Sequence, residues 1–365
     1  MITENKKQLT TRQICLFIIA FLPITKFFMM PSVVTKFARE DAWISVLINL
    51  VLDFLTVSML IYTCKKTKSN FYALLENSFG KIGSKIILGF YFLFFFVKAI
   101  LPLDEQRDYV EYTLYTLVPT IFYFLPFFAV AFFLCLKKLR AIGRLSDVMW
   151  IISLIGFLSL ILLSLGNADF LSILPVGANG TKNIIKGAYS SFVWFSDASY
   201  FLFFIGEFEY KEKDYKKIFI SFAIHAFMVL TFVIIFYSIF TSIAFRQRFA
   251  LTEISKYTTV INNIGRLDFI GIMMILLSNL FALSLPLFFC CKILNHIFHF
   301  KKRWISPLFT LGLQISIMIF LSEYYATIEH VLLGYGAIFF FILGNVLPIF
   351  TVFLNKKGVD YATNK

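Results

Sequence analysis

The sequence predicts an all-α polytopic membrane protein with ten transmembrane helices, and three observations carry that reading. Hydrophobic residues make up 59% of the 365 positions and charged residues only 15%, with a mean hydropathy of +0.81. A soluble domain of this length does not tolerate such a balance. The apolar residues fall in successive runs of ~20 or more, the length needed to cross a bilayer as a helix. The first of these runs holds a lysine, Lys26, near its middle.

The spans are read at residues 12–37, 43–64, 83–103, 120–137, 145–166, 184–208, 218–245, 269–298, 304–322 and 331–354. No soluble domain fits between them, so residues 1–365 form a single transmembrane domain, with short tails at 1–11 and 355–365. The first run is too long for a cleavable signal and lacks a small-residue cleavage site, so it is expected to remain as span one. The net charge of +13 does not indicate a nucleic-acid partner, because the Lys and Arg residues sit in short loops where they set topology. Alternate loops carry twenty of them on one side, from Lys6 and Lys7 to Lys356 and Lys357, against mainly eight on the other. The positive-inside rule then places both termini in the cytoplasm. Five cysteines without a CxxC pair suggest neither a disulfide framework nor a metal site.

Two gaps look amphipathic. Phe71, Leu74, Leu75, Phe79 and Ile82 share one helical face, and Ile254, Tyr257, Ile261 and Ile264 share another. They lie between spans two and three and between spans seven and eight, on opposite sides of the membrane. That placement is what an inverted 5+5 repeat predicts, with halves at about 12–166 and 184–354. The repeat requires broken helices at spans one and six. Span one holds Lys26 between Pro23 and Pro31, and span six holds Ser190, Ser191, Ser196, Asp197 and Ser199 at mid-depth. Ser and Asp side chains can satisfy backbone groups freed by unwinding.

Helix rise puts Lys26 ~20 Å from the charges at either end of its span, too far to snorkel to water. An ionisable residue at that depth marks a substrate or ion site by default. Lys26 is therefore paired with Asp197 or Asp53 beside a site for a small zwitterion. Thr25, Trp194 and Ser196 complete the candidate ligand-binding set. Lys26, Asp53 and Asn279 are the candidates for ion or proton coupling. The plainer alternatives are that Asp197 only caps the second half of span six and that Lys26 only neutralises an acidic neighbour. Lys98, towards the end of span three, is read as snorkelling, His225 as a satisfied core histidine, and residues 207–217 as a solvated loop. No phosphate loop, catalytic motif or metal-ligand cluster supports an enzyme, and no cofactor is implied.

Several short segments, in order and spread over most of the chain, resemble the B subunit of GerA-type spore germinant receptors. That family is a branch of the amino acid/polyamine/organocation (APC) permeases. The segments are Leu9-Thr10-Thr11-Arg12-Gln13, Asp41-Ala42-Trp43-Ile44-Ser45, Gly143-Arg144-Leu145-Ser146-Asp147, Leu174-Pro175-Val176 and Gly265-Arg266-Leu267-Asp268. The resemblance implies a leucine-transporter-like fold and a nutrient-sensing role at the spore inner membrane. It also implies receptor A and C subunits as partners and a small germinant, typically an amino acid, as ligand. The family's small Gly-Thr pair in span one is replaced here by Leu22-Pro23-Ile24-Thr25-Lys26. Three functional readings follow: a germinant-receptor subunit, a free-standing proton-coupled amino acid permease, and a scaffold whose site is filled by its own side chains.

Overall fold

The computed structural model describes residues 8–66, 69–113, 120–208, 210–211, 213–256, 268–320 and 324–351. Among them the architecture is entirely helical. Span one is broken as expected. Helix α1 (Thr11–Phe21) starts at a capping box in which Thr10 and Gln13 exchange side-chain and backbone hydrogen bonds. It stops before Pro23, a single 3-10 turn covers Ile24–Lys26, and α2 (Met30–Ala38) resumes with Pro31 in its first turn. Helices α3 (Ala42–Lys66), α4 (Phe71–Thr113), α5 (Thr120–Cys135) and α6 (Leu139–Ser164) follow.

Span six is broken too. Helix α7 (Gly180–Ser190) ends in an unwound stretch, and α8 (Ala198–Leu202) takes up the path beyond it. Within the break Ser196 adopts φ 66°, a left-handed conformation that a non-glycine residue holds only when its surroundings enforce it. The rest comprises α9 (Asp214–Phe240), α10 (Ala250–Lys256), α11 (Asp268–Phe298), α12 (Ile305–Phe320), α13 (Tyr325–Leu333) and α14 (Tyr335–Phe341). A π-turn at Ile342–Val346 extends α14.

By length and composition, five helical stretches among the described residues can each cross a membrane unaided, at 30–65, 71–110, 139–167, 214–246 and 270–298. The 30–65 stretch joins α2 to α3, and interrupted spans contribute shorter pieces. Leu9 pairs with Phe208, Thr11 donates to Asp214 at 2.6 Å and Arg12 meets Asp147 at 2.9 Å. The starts of α1, α6 and α9 therefore share one face with the end of the α8 segment. On the opposite face Asp41 accepts from the amides of Gly177 (2.7 Å) and Asn179 (3.0 Å), and so fastens the loop ahead of α7.

Two expectations about the connecting segments need correction, and a third is described only in part. Residues 207–217 are not simply solvated: Glu207 accepts from the amides of Gln8 and Leu9, and the carboxylate of Asp214 is buried on Thr11. The face begun by Phe71, Leu74 and Leu75 is buried, but Gly80 at φ 70° turns the chain and leaves Ile82 exposed. The partner segment is helical over Ala250–Lys256 with Ile254 buried, while Tyr257, Ile261 and Ile264 lie outside the described residues.

Candidate functional site

The two breaks meet. Lys26, wholly buried, donates to the carboxylate of Asp197 and to the carbonyl of Leu22 at 2.7 Å. Leu22 closes α1, where carbonyls lose their helical partners, so the ammonium satisfies one of them. Ser153 of α6 takes another, donating to Ala20 at 2.9 Å. On the other side, Asn49 of α3 donates 2.8 Å bonds to the Ala188 carbonyl and the Ser191 hydroxyl at the end of α7.

Asp197 occupies the N-cap position of α8, yet its side chain makes no cap bond. It is held instead between two lysines. The second is Lys98 of α4, 3.4 Å from Asp197 Oδ1, which also donates to the carbonyls of Phe195 and, at 3.4 Å, Val193. Lys98 therefore does not snorkel. It turns into the break of span six, where unwinding has freed acceptors for it. Asp53 of α3 completes the layer by accepting from the Asp197 amide at 3.2 Å, and its Oδ1 has no partner among the described residues. Two ammonium groups and two carboxylates thus share one buried, four-sided cluster.

The other candidates sit around or apart from it. Ser196 donates to the Phe340 carbonyl at 3.1 Å and presses against Gly344 inside the π-turn. Thr25 and Trp194 line a cavity of about 20 Å³ beside Lys98, room for no more than one water. Asn279 is not brought to the cluster; its side-chain amide donates to Gln106 at 2.6 Å. His225 is buried as expected but not satisfied, since neither ring nitrogen has a partner among the described residues.

Glu105 was missed by sequence reasoning because it falls in a gap that reads as a loop. The structure continues α4 as a helix through that gap to Thr113. Glu105 is buried, accepting the Trp194 indole N–H at 2.9 Å and, over a longer 3.4 Å, the amide of Met29 at the start of α2. One carboxylate thereby touches both breaks. The available signal was Asp104 and Arg107, an acid and a base at the i,i+3 spacing that lets them pair within one helix. Arg107 indeed lies 2.5 Å from both Asp104 and Asp108.

Chemically, the two breaks leave amides that suit an anion and carbonyls that suit a cation. In the conformation described, the chain's own Glu105, Lys26 and Lys98 hold those positions.

Comparison with known proteins agrees with this architecture. Three solved structures of a manganese transporter from Eremococcus coleocola superpose on the chain. A mutant form gives a TM-score of 0.56 at 12% identity. A complex with an aromatic bis-isothiourea substituted compound gives 0.54 at 13%. A second mutant gives 0.55 at 12%. Each superposition covers 95% of this chain and 82% of the transporter. The shared fold is the leucine-transporter-like one. Spore germination protein YndE of Bacillus subtilis (strain 168) is 23% identical over 212 residues, which is 58% of this chain and 58% of YndE. The family described as spore germination protein, the spore permeases, matches residues 8–331, and this chain belongs to it.

Proposed function

We infer that this chain is the membrane subunit of a spore germinant receptor that senses a small nutrient, an amino acid, where the two broken spans meet. The observation carrying this is the contact of Lys26 with Asp197 across the breaks, extended by Lys98 and Asp53. Ligand carboxylate and ammonium would displace Glu105 from Met29 and the lysines from the carbonyls of span six. Thr25, Trp194 and Ser196 would form the walls. Binding would thus exchange one set of contacts for another at both breaks together, giving the ligand the differential affinity for two conformations that a switch requires. In this reading the chain has ten spans in two inverted halves of five, 12–166 and 184–354. Its termini lie in the cytoplasm at the spore inner membrane, and it works with receptor A and C subunits.

A free-standing permease coupled through Lys26, Asp53 or Asn279 is the second reading, favoured by the fold shared with a transporter. The cargo of that transporter does not carry over, because two ammonium groups in the layer repel a divalent cation. The test is germination of spores carrying Lys26→Ala or Asp197→Asn, across a panel of amino acids and nucleosides, with subunit levels checked by immunoblot. Lost or shifted responses at normal protein levels support the sensor. Unchanged responses in both variants overturn the site.

A further inference from the structure

Above the midplane layer the protein opens into a vestibule of about 750 Å³ between α2 and α13. That volume falls within the range of about 300–1,000 Å³ typical of small-molecule sites. Its wall includes Met29, Ser32 and Lys36 of α2, Arg248 ahead of α10, and Glu329 and His330 of α13. Charged side chains of both signs are therefore gathered in a recess of a protein that is otherwise overwhelmingly apolar.

Arg248 is a built feature, not a stray surface residue. Its guanidinium lies 5.8 Å from the Tyr325 ring centroid and 5.5 Å from that of Phe249. One nitrogen is 3.0 Å from Asp108 and 3.9 Å from Glu329. Its side chain lines the recess and stays 41% exposed there. A planar guanidinium held on aromatic faces and open on one side is suited to a carboxylate. Glu329, reached by Arg248 only at that longer distance, keeps capacity for an ammonium.

The vestibule is also tied to the breaks. Ser32 of α2 donates to the Arg248 carbonyl at 3.4 Å, the Ala250 amide donates to Phe28 at 2.9 Å, and Met29 carries the amide that Glu105 accepts from.

We propose that this vestibule is a binding site for a free amino acid, with its carboxylate on Arg248 and Lys36 and its ammonium on Glu329. It is separate from the midplane layer and shares no side chain with it. The proposal rests on the reading that the chain handles a small zwitterion, but not on where the second, deeper site lies. With only about 20 Å³ free beside Lys98, the vestibule is where a solute of that size fits in this conformation.

The test is equilibrium binding of the twenty radiolabelled L-amino acids to the full chain in lipid nanodiscs. At least one is expected to bind. Arg248→Gln and Glu329→Gln should each weaken it at least tenfold, and Ala326→Trp, which fills the recess from its wall without removing a charge, should do the same. Ile82→Ala, at an exposed position outside the recess, should leave this binding within threefold. Loss of binding in Asp197→Asn with retention in Ala326→Trp and Arg248→Gln would overturn the vestibule while preserving a midplane site. No binding by any of the twenty would overturn it as well.

Discussion

Trp194 donates its indole N–H to Glu105 at 2.9 Å, with both residues buried. The bond joins the unwound part of span six to a helix outside both breaks, and the same carboxylate reaches Met29. Removing the acceptor strands a buried donor, which typically costs about 1–3 kcal/mol, whereas a neutral acceptor of the same shape keeps the bond. Glu105→Ala is therefore expected to lower thermal stability in detergent clearly more than Glu105→Gln. Equal losses in the two variants would show that the Trp194 bond is not what Glu105 contributes.

Asp197 is the common anion of two lysines. Asp197→Ala leaves two buried ammonium groups with Asp53 as the one remaining carboxylate of the layer, and breaking a buried pair on one side costs about 3–5 kcal/mol. Adding Lys26→Met should restore part of that loss, since an apolar replacement for both partners is often close to neutral. A double variant no more stable than Asp197→Ala alone would argue against the pairing.

Gly344 faces Ser196 so closely that a Cβ there would sit 2.1 Å from the serine's Cβ. Gly344→Ala should force the break of span six apart and destabilise by about 1–3 kcal/mol, the usual cost of overpacking. Ser196→Gly removes the clashing atom and also suits the left-handed backbone at that position. The pair should recover stability that the single Gly344 variant loses, as read by thermal unfolding.

Asp41 holds the loop ahead of α7 through two backbone amides. Asp41→Ala should expose that loop to proteolysis between residues 165 and 180, while Asp41→Asn, which retains an acceptor, should give partial protection. Mass mapping of the first cleavage fragments is the measurement. Unaltered fragments in the alanine variant would rule the clamp out.

Much of the site was legible because membranes make charge conspicuous. Lys26 between two prolines and Asp197 among serines stood out from apolar surroundings, and the structure brings them into contact. Lys98 and Glu105 were harder to see, for one shared reason. The sequence places the end of span three near residue 103 because charges begin at Asp104. In fact Arg107 pairs with both Asp104 and Asp108, so α4 continues and Lys98 is well inside it. Local charge pairing thus hid four buried residues behind the look of a loop. Asn279 shows the opposite error. It shares the depth of the cluster by sequence, but which face of α11 it occupies depends on packing, and it turns to Gln106.

The buried layer has an electrical consequence. Lys26 and Lys98 bring two positive formal charges, and Asp53 and Asp197 two negative. A rearrangement that shifts the four together along the membrane normal transfers no net charge. A lone charge crossing the same field would feel about 2.3 kcal/mol per 100 mV. Were the four to move as one body carrying these formal charges, the membrane potential would do no work on them.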